Sequence, residues 1–156
     1  MQLTPTFDRS YAKDVLPKRL DYFMNELSSD LTLNETNIHD KTLLRASLAA
    51  KWCRYEYEEK RYKEKIADQI DALKNSIAME IFEKKKQGMI GKTITESMIK
   101  IEAERTVKTN PQYLDLKDAL SDQDDILRFI SEAKQIVSQF GFDIKNAIDV
   151  LKLENG

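Results

Sequence analysis

The sequence predicts an all-α fold: one long helix with shorter antiparallel helices, joined into an oligomeric helical assembly. The 156 residues are 41% hydrophobic and 33% charged, with only 4 glycines and 3 prolines. A sandwich or barrel needs many turns, so this composition favours helices. Residues 36–87 contain neither proline nor glycine, and they carry apolar side chains in steps of three, four or seven, as on one helix face.

The apolar stripe on residues 36–87 predicts a single long helix. Its members are Leu44, Leu48, Trp52, Tyr55, Tyr62, Ile66, Ile70, Leu73, Ile77 and Ile81. At about 1.5 Å per residue the helix would reach roughly 75 Å, several times the radius of a compact domain of this length. It can bury the whole stripe only against partner copies or in an extended helical hairpin.

The residues before this helix predict an arm and a first helix. Residues 1–14 have no sustained period. The first helix begins at Leu16 with Pro17 in its first turn, where proline is tolerated, and its apolar positions continue to Leu31. The polar stretch 32–37 then connects to the long helix, whose N-cap has three candidates: Asn34, Thr36 and Asn37.

The residues after residue 83 predict three further helices. The run from Lys84 to Gly88 ends the long helix, and Thr93 with Glu96 fits a capping box for a helix that continues to about Thr109. Asn110 caps the next helix, which begins at Pro111 and ends at Gly141. A last short helix is expected to have Asp143 as its cap and an apolar face of Ile144, Ile148 and Leu151.

Enzyme signatures are absent from the sequence. The single histidine cannot build a metal site alone, and the single cysteine, Cys53, excludes a thiolate metal cluster. The sequence shows no Ser/His/Asp or Cys/His motif and no glycine-rich phosphate loop. We therefore expect no catalytic activity, metal or cofactor. A single cysteine and the lack of any apolar run of transmembrane length favour a reducing, cytoplasmic setting without a membrane.

Charge is unevenly distributed along the chain, although the net charge is only −2. Residues 84–108 hold seven basic and three acidic residues, a local +4, whereas residues 109–156 hold five basic and nine acidic ones, a local −4. The basic turn, with Lys84, Lys85, Lys86 and Lys92, is a candidate phosphate-binding patch. The alternative is a solvated turn whose lysines complement the helix dipole.

A second candidate lies on the long helix. At about 100° per residue, Lys51, Arg54, Arg61 and Lys65 form a basic edge within roughly 80°. The edge runs beside the aromatic members of the stripe, Trp52, Tyr55 and Tyr62. Cations beside aromatic rings are typical of surfaces that bind single-stranded nucleic acid, because any base can stack on a ring. Aromatic residues at helical spacing are equally typical of a core.

Three segments of the chain are distinctive: the tail Gly141-Phe142-Asp143-Ile144-Lys145, the Lys51-Trp52 pair and the stretch Leu73-Lys74-Asn75-Ser76-Ile77. Together they resemble the UvsY family of phage recombination mediators. The likeness covers residues 44–156. It implies a non-enzymatic protein that binds single-stranded DNA, forms a closed ring of six or seven copies, and loads a RecA-like recombinase onto strands covered by single-strand-binding protein. If the chain is phage-encoded, its location is the cytoplasm of an infected host.

The resemblance also implies residue roles. The family's DNA-binding motif is Lys-Ala-Arg-Leu, to which Lys74 and Ile77 correspond, while Ser76 stands where the family has arginine and the nearby lysine run could supply the charge. Residues 1–35 are then an arm and short helix, 36–92 the DNA-binding part and 93–156 the oligomerisation part. Oligomer contacts are expected from Leu120, Leu127, Ile130, Val137, Phe140, Phe142, Ile144 and Ile148. The alternative function is a structural or adaptor coiled-coil protein without nucleic acid binding.

Overall fold

The protein was analysed as a computed structural model, which describes residues 16–32, 39–40, 44–88 and 95–156. The bounded helices are α1 (Leu16–Leu31), α2 (Arg45–Gly88), α3 (Glu96–Thr109) and α4 (Pro111–Asn155). No strand occurs within these described ranges. The predicted all-α class is confirmed.

Several predicted helix ends are confirmed, because they depend on local chemistry. Helix α1 begins and ends where the apolar spacing placed it, and α2 ends at Gly88. Asn110 lies between α3 and α4, and its side-chain oxygen accepts a hydrogen bond from the Tyr113 backbone N–H at 3.1 Å. Pro111 is the first residue of α4. An N-cap side chain and a first-turn proline together fix this boundary.

The predicted break at Gly141 is wrong, because α4 continues from Pro111 through Gly141 to Asn155. Asp143 is therefore an exposed residue inside α4 and not a cap. Gly141 instead lies close to the side chain of Arg45: a Cβ atom at position 141 would overlap the guanidinium. The missing side chain lets the Arg45 side chain cross the surface of α4.

The predicted starts of α2 and α3 also need correction. Helix α2 begins at Arg45 and not at residue 36; the candidate caps Asn34, Thr36 and Asn37 lie outside the described residues. The N-cap of α3 is Thr95, whose hydroxyl accepts a hydrogen bond from the Met98 N–H at 3.3 Å. Thr93, Lys92 and the predicted arm of residues 1–14 lie outside the described ranges as well.

The chain divides into two compact units. We call Tyr62–Asp122 the central unit. Pro17–Arg61 and Gln123–Gly156 form the terminal unit, which contains the first and last helical segments. The division falls within both α2 and α4.

In the terminal unit, α1 and the last part of α4 both pack antiparallel to residues 45–61 of α2. The contacts that show this join Arg19 to Glu59, Tyr22 to Tyr55, Glu26 to Lys51, Gln123 to Glu59 and Lys134 to Glu56. Buried apolar side chains fill the space between the helices: Phe23, Leu27, Trp52, Tyr55, Ile126, Ile130, Ala133, Val137 and Ile144. Packing three helices around one core explains why both faces of this part of α2 are occupied.

In the central unit, the second part of α2 packs against α3 and the start of α4. Its core cluster consists of Ile77, Ile81, Ala103 and Val107, with Leu73, Ala78, Ile99 and Tyr113 packed against it. Only one of these eight side chains is aromatic. The apolar stripe predicted from the sequence is therefore buried here by helices of the same chain.

Candidate nucleic-acid interface

The aromatic residues proposed for base stacking form the core of the terminal unit. Trp52 and Tyr55 are 0% and 3% exposed, and Phe23 of α1 lies against both, with ring centroids 6.3 and 5.0 Å away. In the central unit Tyr62 is 5% exposed. A base cannot reach these rings, so the core interpretation of the aromatic stripe is correct.

Lys51, the first cation of the predicted basic edge, is held by two carboxylates of α1. Its Nζ lies 3.0 Å from an oxygen of Glu26 and 2.7 Å from one of Asp30. Asp30 also accepts a hydrogen bond from the Trp52 indole N–H at 2.8 Å. Burial lowers the pKa of Lys51, but hydrogen bonds and attraction to the two carboxylates outweigh it, and the net shift is upward. Its positive charge is thus balanced within the unit, and a phosphate would have to compete with both carboxylates.

Two further cations of the terminal unit also face acidic partners. Arg19 forms a buried ion pair with Glu59, which is itself 0% exposed and accepts a hydrogen bond from Gln123 Nε2 at 2.6 Å. Burial raises the pKa of Glu59, while Arg19 and Gln123 oppose that rise. Lys134 of α4 binds Glu56 at 2.6 Å; hydrogen bonds from Lys134 and Lys60 lower the pKa of Glu56. These contacts stabilise helix packing and leave no charge to attract DNA.

Arg54 and Arg61 differ from these residues because both are exposed on α2. Arg54 makes a long contact of 3.9 Å with Glu58, one turn away, and its guanidinium carbon lies 6.0 Å from the ring centroid of the buried Tyr55. The guanidinium carbon of Arg61 lies 5.9 Å from the ring centroid of Tyr57, which is 63% exposed. Tyr57 was not predicted as a site residue, because it lies off the apolar stripe. Its position outside that stripe was the feature of the sequence from which its exposure could have been predicted.

The central unit contains a lysine-rimmed groove of about 480 Å³. Its apolar lining is Ala78, Ile99, Ala103 and Val107, with the half-buried ring of Tyr113. Its polar lining consists of three exposed lysines, Lys74, Lys100 and Lys108, with Asn75, Glu96 and Glu104. A groove with an apolar floor and cations at its edge matches the shape and charge of a nucleotide unit of a single strand.

Lys74, the family-motif residue, lies at this groove. Its Nζ is 6.0 Å from the ring centroid of Tyr113, so one cation and one aromatic ring meet at the same end of the lining. Lys100 and Lys108 reach the groove from α3, about two turns apart. Neither lysine was predicted as a site residue, because the approach of both to Lys74 depends on how α3 packs on α2.

The lysine run at the end of α2 is only partly exposed. Lys84 and Lys86 are exposed, whereas Lys85 is half-buried and its Nζ contacts a carboxylate oxygen of Glu102 on α3 at 2.6 Å. Lys85 therefore joins two helices, and the remaining two lysines point in different directions at about 100° per residue. Lys92 lies outside the described residues.

The residues predicted for oligomer contacts divide by exposure. Ile130, Val137 and Ile144 are 0%, 5% and 1% exposed and belong to the core of the terminal unit. Leu120, Leu127, Phe140 and Ile148 are half-buried. Phe142 is 54% exposed and lies under Arg45, whose guanidinium carbon is 5.4 Å from its ring centroid. Other exposed apolar side chains on α4 are Leu114, Ile136, Val150, Leu151 and Leu153.

Neither a metal site nor a membrane-spanning helix occurs in the part of the chain that the structure describes. It holds no group of three His, Cys, Asp or Glu side chains that could bind a metal ion. None of its helices is both long and apolar enough to cross a membrane.

Comparison with known proteins identifies the family. No curated protein matches this sequence. Two crystal structures of the bacteriophage T4 recombination mediator protein UvsY share the fold: lattice type IV with a TM-score of 0.64 and 19% identity, and lattice type II with 0.61 and 20%. These matches cover 87% and 88% of this chain and 98% of the T4 chains. The model of the family described as recombination, repair and ssDNA binding protein UvsY matches residues 26–156. The chain therefore belongs to the UvsY family.

Proposed function

We propose that this protein is a recombination mediator without enzymatic activity or cofactor. It binds single-stranded DNA and loads a RecA-like recombinase onto strands covered by single-strand-binding protein, in the cytoplasm of a phage-infected cell. The observation that carries the proposal is the lysine-rimmed groove of the central unit, in a chain of the UvsY family.

The chemistry of the groove suits binding without sequence preference. Lys74, Lys100 and Lys108 offer point charges that attract the phosphates of a strand of any sequence. A sequence-specific protein instead needs bidentate hydrogen-bond donors directed at base edges. The apolar floor and Tyr113 provide a surface on which any base can lie. A mediator must act on whatever strand is exposed, so this lack of preference is what the function requires.

The small positive charge at the groove indicates that one subunit alone binds DNA weakly. Three lysines face two glutamates at the groove, and the whole protein carries a net charge of −2. We propose that the protein forms a ring of six or seven copies, as the family resemblance implies, through exposed apolar residues of α4 that include Phe142, Val150 and Leu153. One strand then touches several grooves, and each contact after the first is effectively intramolecular. Lys84 and Lys86 extend the basic surface beyond the groove.

The test is a titration of fluorescently labelled oligo-thymidine with the protein at two salt concentrations. A mediator of this kind binds, and its affinity falls steeply as salt rises because phosphate contacts release counterions. A structural or adaptor protein gives no binding signal at either concentration, and that result would refute the proposal. Stimulation of recombinase filament formation on strands coated with single-strand-binding protein then tests the loading step.

A further inference from the structure

One aromatic ring of α2 is exposed where its neighbours are buried. Tyr57 is 63% exposed, while Trp52 and Tyr55 on the same helix are at most 3% exposed. Among residues 45–61, all of which the structure describes, Tyr57 is the one large hydrophobic side chain that is exposed. It does not stabilise the helix packing of its own unit, so its ring is available to a ligand.

The surroundings of Tyr57 are cationic. Arg61 lies one turn after it, with its guanidinium carbon 5.9 Å from the ring centroid, and Arg54 lies one turn before it with a side chain 65% exposed. Residues spaced by three and four share one helix face. Of the two acidic residues next to Tyr57 in the sequence, Glu58 makes a long contact of 3.9 Å with Arg54, and Glu56 is held by Lys134 and Lys60. The face thus combines one flat ring with two guanidinium groups.

We propose that Tyr57 stacks on an unpaired nucleobase of a bound single strand while Arg54 and Arg61 contact the flanking phosphates. This inference rests on the proposed function and adds a base contact outside the groove of the central unit. Stacking on an exposed ring is independent of base identity, and a guanidinium beside the ring strengthens the contact through its own planar face.

The alternative occupant, another protein subunit, fits this face less well. Protein contacts bury about 800 Å² per partner and surround their aromatic anchors with further contacts that exclude water. Tyr57 instead lies among charged side chains, and the exposed positions one and two turns before it are Cys53 and Ala50. A single ring between two arginines matches the size and charge of one nucleotide.

The first experiment uses tryptophan fluorescence. The natural Trp52 is 0% exposed and should not respond to DNA, so Tyr57→Trp places a reporter at the site itself. Oligo-thymidine should quench the new emission in a saturable way. Met24→Trp on α1 is the matched control: Met24 is 50% exposed in the same unit, with Asp21 one turn before it. Equal quenching of both variants, or of neither, would overturn the proposal.

The second experiment separates stacking from charge. Tyr57→Leu should weaken binding of oligo-thymidine by about 5- to 100-fold, the range for loss of one stacked base, with an unchanged salt slope. On an abasic deoxyribose-phosphate strand of equal length, parent and variant should bind equally. An equal loss on both strands, no loss on either, or a reduced assembly mass for the variant would overturn the proposal. If the parent binds neither strand, the proposed function fails as well.

Discussion

The helix contacts inside the terminal unit and the groove of the central unit use basic residues in opposite ways. In the terminal unit Lys51, Arg19 and Lys134 bind carboxylates of neighbouring helices. In the central unit Lys74 and Lys108 are exposed at a groove with an apolar floor. Lysine and arginine content is therefore a poor guide to the DNA-binding surface of this protein. What distinguishes a binding residue is whether its charge is already balanced by a partner in the fold.

The buried cores of the two units also differ, in the polarity of their side chains. The terminal unit encloses a polar network in an aromatic core, with Glu59 and Gln123 both 0% exposed. Among the described residues, the central unit buries only hydrophobic side chains, which include the Tyr62 ring with Ile66 and Ile70. Buried ionic groups require specific partners, so substitutions there should affect folding, whereas removal of the exposed lysines at the groove should affect binding alone.

The largest effect is expected when the buried network is broken. Arg19→Ala leaves the Glu59 carboxylate buried without its cation, which should cost about 3–5 kcal/mol in free energy of unfolding. Urea unfolding followed by Trp52 fluorescence measures it in the terminal unit. The control is Lys18→Ala, at an exposed neighbouring position, with an expected change within about 0.5 kcal/mol. Equal stability of the two variants would show that the pair is not needed for folding.

The next effect concerns assembly. Leu153 is 82% exposed and Ile144 1% exposed, so aspartate should act differently at the two positions of α4. Leu153→Asp should lower the mass measured by light scattering towards the 18.1 kDa subunit, because a charge in an apolar interface is costly, and should keep the helical circular dichroism. Ile144→Asp should instead disrupt the terminal unit. An unchanged mass for Leu153→Asp would show that this end of α4 is not part of the interface.

A smaller effect is expected from pH. Lys134 and Lys60 lower the pKa of Glu56 below its ordinary 4.5, so the folded state favours the ionised carboxyl. The resulting stability is fully present above pH 4.5 and is lost as pH falls through the folded pKa. Glu56→Gln should therefore be less stable than the parent at pH 7, by less than about 1 kcal/mol for this partly exposed pair, and equally stable in acid. Glu132→Gln, at an exposed position, is the control; the same pH dependence in both would exclude a specific role for Glu56.

The sequence predicted the fold better than the site, for physical reasons. Helix ends at Leu31, Gly88 and Asn110 depend on residues within a turn of the end, so local chemistry revealed them. Gly141 misled because a helix can continue through a glycine, and here the side chain of Arg45, almost a hundred positions away, lies against it. Whether a helical glycine marks an end or a close approach depends on tertiary packing.

The same limit applies to the candidate site. Lys51 had the spacing of a phosphate ligand, but Asp30 on another helix balances its charge. Lys100 and Lys108 had no motif, and only the packing of α3 brings them near Lys74. Periodicity did identify the aromatic stripe, and Tyr57, which lies off it, is more exposed than Phe82, the other exposed ring described on α2.

The central claim is that exposed lysines of the groove carry the contact with the DNA backbone. The direct measurement is the slope of log affinity against log salt for oligo-thymidine. Each phosphate contact to a single strand contributes roughly 0.7, so Lys74→Ala, Lys100→Ala and Lys108→Ala together should reduce the slope by about 2 units for each subunit engaged. The melting temperature should stay unchanged, because these side chains are exposed.

The control removes equal charge from the acidic last third of the chain, through Lys117→Ala, Lys145→Ala and Lys152→Ala, all at exposed positions. We predict a reduced slope for the groove variant and the parental slope for the control. Equal slopes for the two triple variants would contradict the claim and show that only the overall charge of the protein matters.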